Sequence, residues 1–163
     1  FLIENKDIVT KPLYGNGGEG IFRSKLDDSI LQGIDESKDT LDEPIMAQRY
    51  IPEIVEGDRR IILIDGEYVG SVARIPQPNH LKANFHAGGQ PQKTDLIYRD
   101  GEICDALRND LKEKNLFLVG IDTIGNYLTE INVTSPTGLK QINELNDVNL
   151  AKVYWDKLEV KFF

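Results

Sequence analysis

Polar and apolar positions divide the chain into short extended runs separated by helical ones. Ile8–Leu13 alternates as a strand does, Tyr14–Glu19 reads as a polar loop, and Gly20–Lys25 predicts a second strand. Ser29–Glu36 predicts a short helix, followed by an acidic connection to Pro44. Ile45–Ile51 is a mostly apolar strand that stops at Pro52, which has no N–H to offer a ladder. Arg59–Ile64 and Glu67–Ile75 flank Asp65-Gly66, a dipeptide suited to the tight primed turn of a hairpin. Pro76–Pro91 shows no periodicity and predicts a long loop of the kind that often serves as a lid. Ile103, Leu107 and Leu111 recur at helical spacing within Asp100–Lys114. Leu116–Ile124 and Tyr127–Val133 predict two strands around a Gly125-Asn126 turn, and Val148–Leu158 a final helix. Hairpins interrupted by helices, without strict β-α alternation, predict an α+β fold on an antiparallel sheet.

Composition narrows the function classes. The 163 residues suffice for one domain with a sizeable core. Net charge is −8, but Asp27–Glu43 carries −6 of it, with seven acids and one lysine, so the acidity describes one solvated segment. There is no basic nucleic-acid footprint, and no apolar run reaches the length of a membrane span. The expectation is a soluble, cytoplasmic protein without nucleic-acid or membrane partners. The single cysteine, Cys104, excludes an internal disulfide and reads as helix packing rather than as a nucleophile. Residue 1 is Phe and the only methionine is Met46, so a chain entering a strand at Asp7 is expected to be a piece of something longer.

Candidate chemistry begins at Lys11-Pro12-Leu13-Tyr14-Gly15-Asn16-Gly17-Gly18-Glu19-Gly20, with four glycines in six positions. Glycine lets backbone N–H groups converge on an anion without a Cβ in the way. The string satisfies G-x-G-x-x-G, but a strand rather than a helix follows it, which argues against a dinucleotide fingerprint. It is not a Walker A loop, because the lysine precedes the glycines. A strand–loop–strand cover over phosphates remains, with Lys11 supplying positive charge; an ordinary glycine-rich turn is the other reading.

The second constellation is Glu130-Ile131-Asn132-Val133-Thr134-Ser135-Pro136. Side chains two apart on a strand share a face, so Glu130 and Asn132 point together. A three-residue turn would place Asp122 opposite Glu130; a two-residue turn would shift the register by one and break that alignment. Two carboxylates and an amide oxygen suit Mg²⁺, which takes few protein oxygens and completes its shell with phosphate and water. The alternative is an edge strand whose polar side faces solvent. Arg60 and Arg74 lie near the open ends of the first hairpin and could bind carboxylate or phosphate bidentately, although turn arithmetic leaves their common face undecided. His80 and His86 lack metal-ligand spacing, and no serine or cysteine nucleophile stands out.

Together these segments resemble prokaryotic glutathione synthetase. KPLYGNGGEGIFR (11–23), MAQRYIPEIVEGDRRIILIDGE (46–67), ARIP (73–76), NFHAGG (84–89) and LVGIDTIGNYLTEINVTSPTG (118–138) follow that family's order and span nearly the whole chain. The resemblance implies an ATP-grasp fold that uses ATP and Mg²⁺, with Mn²⁺ as a substitute, to join γ-glutamylcysteine to glycine through an acyl-phosphate. It implies that Lys11 and the loop glycines Gly15, Gly17, Gly18 and Gly20 hold the phosphates. Gln48, Tyr50 and Ile51 would line the adenine pocket, and Asp58 would reach the ribose. Arg60 and Arg74 would hold the dipeptide and the developing phosphate charge, and Asp122, Glu130 and Asn132 would bind the metal. Asn84, Gly88, Gly89, Thr134 and Ser135 would lie beside the substrates.

The family also implies an N-terminal substrate domain and a first ATP-grasp lobe, so residues 1–163 correspond to a C-terminal part, with weak nucleotide binding and no useful ligase activity by itself. The full-length enzyme would be a homo-oligomer. Tyr14 stands in the glycine loop where an acidic residue is common. Two other readings stay open: an ATP-grasp ligase with a different acceptor, and a non-catalytic nucleotide-binding domain.

Overall fold

The computed structural model describes residues 1–14, 19–26, 44–77 and 88–162. These fall into two compact units, residues 1–52 and residues 53–162. The expected helix at Ser29–Glu36 lies outside the described residues.

The first unit opens with one helical turn, α1 (Leu2–Asn5), closed by Lys6 in the left-handed region. Three antiparallel strands follow: β1 (Asp7–Pro12), β2 (Phe22–Lys25) and β3 (Ile45–Arg49), with β1 in the centre. Val9 pairs with Arg23 on one side and Gln48 on the other, which fixes the faces. Ile8 and Thr10 are buried on one face. Asp7, Val9, Lys11, Arg23, Met46 and Gln48 share the opposite face by the two-residue period of a strand.

The second unit is a five-stranded antiparallel sheet in the order β6-β5-β4-β7-β8. Its strands are β4 (Asp58–Ile64), β5 (Glu67–Ile75), β6 (Gln90–Gln92), β7 (Leu118–Ile124) and β8 (Tyr127–Asn132). A 3₁₀ turn at Pro52–Glu56 leads into β4. Helix α2 (Tyr98–Glu113) covers one face, where Ile103, Cys104 and Leu111 pack against Ile61, Leu63, Val119 and Ile121. Helices α3 (Leu139–Asn146) and α4 (Leu150–Phe162) close the chain. A Cβ on Gly70 would come within 2.7 Å of Ile142 Cγ2 and 3.6 Å of Leu150 Cδ1, so the missing side chain lets both helices approach β5.

Burial on two sides explains the unbroken run Ile61-Ile62-Leu63-Ile64, in which every residue is fully buried. A strand with one wet face would alternate instead. Each of these side chains contributes about 1.5–3 kcal/mol of apolar burial.

Several boundaries differ from expectation. Gln90–Gln92 is a short edge strand within the tract expected to be loop. Leu139–Asn146 is a helix the apolar spacing did not reveal, because only Ile142 is buried in it. It ends where Asp147 adopts a left-handed conformation, and the Asn143 side chain then accepts the Leu150 N–H at the start of α4. The last helix accordingly begins at Leu150 rather than Val148.

Candidate functional site

The second unit carries a row of charged side chains on the sheet face opposite α2. Register places Arg74 beside Asp58, Arg60 beside Asp122, and Asp122 beside Glu130. Directly opposed residues share a face, so all five belong to one side. Arg60 donates through Nε and Nη2 to both oxygens of Asp122, the second at 2.8 Å. Arg74 grips Asp58 through Nε at 2.7 Å and through Nη2, which also meets Asp122 Oδ2 at 2.9 Å. Arg60, Arg74 and Asp122 are only 5%, 2% and 3% exposed.

The two aspartates respond oppositely to this setting. Burial raises the Asp122 carboxyl, but two guanidiniums outweigh it and hold the group below the ordinary carboxylate range. Burial wins at Asp58, against the hydrogen bond from Arg74, and pushes it up. Arg74 is opposed by burial too, yet its aspartate partners raise it, so it stays charged.

A β-bulge in each hairpin sets this common face. The β4–β5 register pairs Leu63 with Tyr68 and Ile62 with Gly70, leaving Val69 as an extra residue. That single insertion restores the parity that turn arithmetic left undecided, and places Arg60 and Arg74 on one side. The β7–β8 hairpin has the two-residue turn Gly125–Asn126, with Ile124 opposite Tyr127 and Thr123 opposite Leu128. Unbroken, this ladder would set Asp122 against Thr129. A bulge between Asp122 and Thr123 instead sets Asp122 against Glu130 and Gly120 against Asn132.

Gly120 admits the segment that follows β8. A Cβ there would lie 2.7 Å from Pro136 Cβ and 3.3 Å from Arg60 Cδ. Arg60 Nη1 donates to the Thr137 carbonyl at 2.8 Å, so one guanidinium orders both Asp122 and this segment. Thr134 and Ser135 are exposed, and Ser135 is held at φ 47°. Asn132 Nδ2 is buried without a hydrogen-bond partner among the described residues. Among the described residues no three His, Cys, Asp or Glu side chains converge as a metal site would. The expected ligand set contains two carboxylates and an amide.

On the α2 face a second cluster is structural. Arg59 binds fully buried Asp100 through two bonds of 2.7 and 3.0 Å and reaches the Gly125 carbonyl at 2.6 Å. Asp100 also accepts the Thr123 hydroxyl and, at the start of α2, the Ile97 N–H. Cys104 sits in this core with its thiol pushed up to about 11, chiefly by burial, and behaves as a packing residue.

In the first unit, Lys11 lies across from Met46 and shares its face with Gln48. The Tyr50 N–H donates to the Asp7 carbonyl at 3.1 Å, so that backbone group serves the sheet. The Arg23 guanidinium lies 3.4 Å from the Tyr50 ring centroid and binds Asp7 bidentately. Gly20 is at φ 68°, and a Cβ there would meet Pro12 Cγ at 2.7 Å. Gly15, Gly17, Gly18 and Asn84 lie outside the described residues. In the second unit, Gly88 and Gly89 precede β6, whose Pro91 pairs with Arg74.

Sequence reasoning missed Thr137, Gly120 and Thr129. Thr137 acts through its carbonyl and Gly120 through an absent side chain, so neither residue type signals its role. Thr129 donates its hydroxyl to the Asp122 carbonyl at 3.0 Å.

Residues 1–147 match the family of prokaryotic glutathione synthetase ATP-grasp domains. The chain is 45% identical to glutathione synthetase from Agrobacterium fabrum, over 99% of its own length and 51% of that protein. It is 47% identical to the Nitrosomonas europaea enzyme, over 98% of this chain and 50% of that one. The chain thus spans about half the length of the curated relatives it matches. Its fold is similar to that of the ATP-grasp ligase PsnB, solved with its minimal precursor, Mg and ADP. The TM-score is 0.66 at 16% identity, covering 98% of this chain and 48% of that one. The family match covers most of the chain, and this chain belongs to the prokaryotic glutathione synthetase ATP-grasp family.

Proposed function

We propose that this chain is the nucleotide- and metal-binding part of a ligase that joins γ-glutamylcysteine to glycine at the expense of ATP. The observation that carries the reading is the buried row Asp58–Arg74–Asp122–Arg60, continued by Glu130 and Asn132 on the same face. Preorganised guanidiniums in a dry setting stabilise charge developing on a transferred phosphoryl group, and no protein nucleophile is needed.

In the proposed reaction the cysteinyl carboxylate attacks the γ-phosphorus and ADP leaves. The glycine amine then attacks the acyl carbon, phosphate departs, and the amine loses a proton. Arg60 and Arg74 orient the dipeptide carboxylate and the transferred phosphoryl oxygens. Their aspartate partners fix the guanidinium planes, which makes holding Arg74 the role we assign to Asp58. Lys11, Gln48 and the glycines around residue 17 serve the nucleotide. Cytoplasm is the proposed compartment, which a single buried free thiol supports.

The donor set fits Mg²⁺. Glu130 and Asn132 offer hard oxygens on one face, and a half-turn of the Asn132 amide would exchange its unpartnered Nδ2 for Oδ1. A carboxylate has about four lone-pair sites. The Arg60 and Arg74 contacts leave Asp122 Oδ1 room for one more partner. Bound there, the ion would neutralise phosphate charge.

Calorimetric titration with ATP, with and without Mg²⁺, tests the reading on this chain. Glu130→Ala and Asn132→Ala should each abolish the metal-dependent part of the affinity. Unchanged affinity in both would favour a non-catalytic nucleotide-binding domain. Phosphate release by the full-length polypeptide, with glycine against other amino acids, separates this acceptor from others.

A further inference from the structure

We infer that Thr129 is a positioning residue that turns Glu130 and Asn132 toward the charged row; this rests on the reading of those two residues as metal ligands. Leu128 packs with the α2-side core, and a regular strand would send Glu130 to the same side as Leu128. Glu130 lies instead opposite Asp122, on the other face, because Thr129 is the extra residue of a bulge. Its Oγ1 donates to the Asp122 carbonyl at 3.0 Å, tying the inserted residue to the strand it would otherwise slip along.

Beyond the strand, Pro136 against Gly120 and Thr137 on Arg60 anchor the following segment, and the Thr129 hydroxyl ties the bulge itself. Among the described residues β8 is an edge strand with one neighbour. A slip by one residue would pair Asp122 with Thr129 and turn Glu130 and Asn132 to the α2 side. Ile131 would leave that side, but it is already 44% exposed, so the slip forfeits little apolar burial. Register is well specified only where one face is firmly buried. The hydroxyl supplies the discrimination that the apolar pattern lacks.

Cross-strand proton NOEs in this chain read the register directly, and a Mn²⁺ titration in the presence of ADP reads its consequence. Thr129→Val keeps shape and removes the hydroxyl. It should weaken the 122–130 and 120–132 contacts, introduce 122–129 and 120–131 contacts, and raise the half-saturating Mn²⁺ concentration about tenfold, as loss of a supporting residue does. Thr129→Ser should retain both wild-type readings. Wild-type register and wild-type Mn²⁺ dependence in a folded Thr129→Val chain would overturn the inference, as would failure of serine to rescue. Glu130→Ala is the separate control: if it leaves Mn²⁺ binding unchanged, the metal reading fails and the NOE register alone judges Thr129.

Discussion

Arg23 grips Asp7 on the three-stranded sheet with the same two-pronged geometry that Arg60 uses on Asp122 in the five-stranded sheet. The first pair is wet, with side chains 25% and 31% exposed; the second is dry, at 6% and 5%. Water screens the first pair and would solvate either partner if the other were lost. The second has no such recourse, and each charge in it depends on the next one along the row. The difference separates a surface contact from a preorganised electrostatic site: equal geometry, unequal consequence.

Asp122→Ala should break the contrast most severely. It would leave two buried guanidiniums without their shared anion, at a cost of about 3–5 kcal/mol in urea denaturation. Gly120→Ala comes next, since its Cβ would enter the space of Pro136 and the Arg60 stem. Overpacking of that kind costs about 1–3 kcal/mol, read by the same denaturation. Arg23→Ala should cost only about 0.2–1 kcal/mol at low salt, and less at high salt, by the same measurement.

The smallest effect is the pH slope, and it differs in sign within the row. Asp7 and Asp122 are held below the ordinary carboxylate value, Asp7 chiefly by its hydrogen bond from Arg23. Their stabilisation is complete above about pH 4 and is lost as pH falls through their folded values. Asp58 is raised, so its contribution is complete below about pH 4 and is lost as pH rises through its folded value. Denaturation followed from pH 7 to pH 3 should show a decline at the acid end that Asp7→Asn makes shallower.

How much of this was legible depended on whether local pattern and tertiary context agreed. The Asp65-Gly66 hairpin and the helix through Ile103, Leu107 and Leu111 could be read directly, because turn chemistry and periodicity point the same way there. The acid–amide pair could be picked out by residue type but not placed by geometry. A two-residue turn at Gly125-Asn126 argues against aligning Asp122 with Glu130, and only the bulge reverses that conclusion. Val69 likewise settles the face shared by Arg60 and Arg74. Bulges carry weak sequence signals, since any residue can be the inserted one when a hydroxyl or a neighbouring strand holds it. The ion pair of Asp58 with Arg74 was obscured for another reason: the two lie on different strands, and their pairing is visible only once the register is known.

The span of the row along the chain has a temporal meaning. Arg60 meets Asp122 across 62 residues and Thr137 across 77, while β5 folds onto β4 through a two-residue turn. Loop closure over such distances must precede any reward from the contacts it makes. The first hairpin can therefore form early, with Arg60 and Arg74 in place but only Asp58 to answer them. The charged row includes Asp122, so it cannot be complete before β7 docks and that long loop is closed.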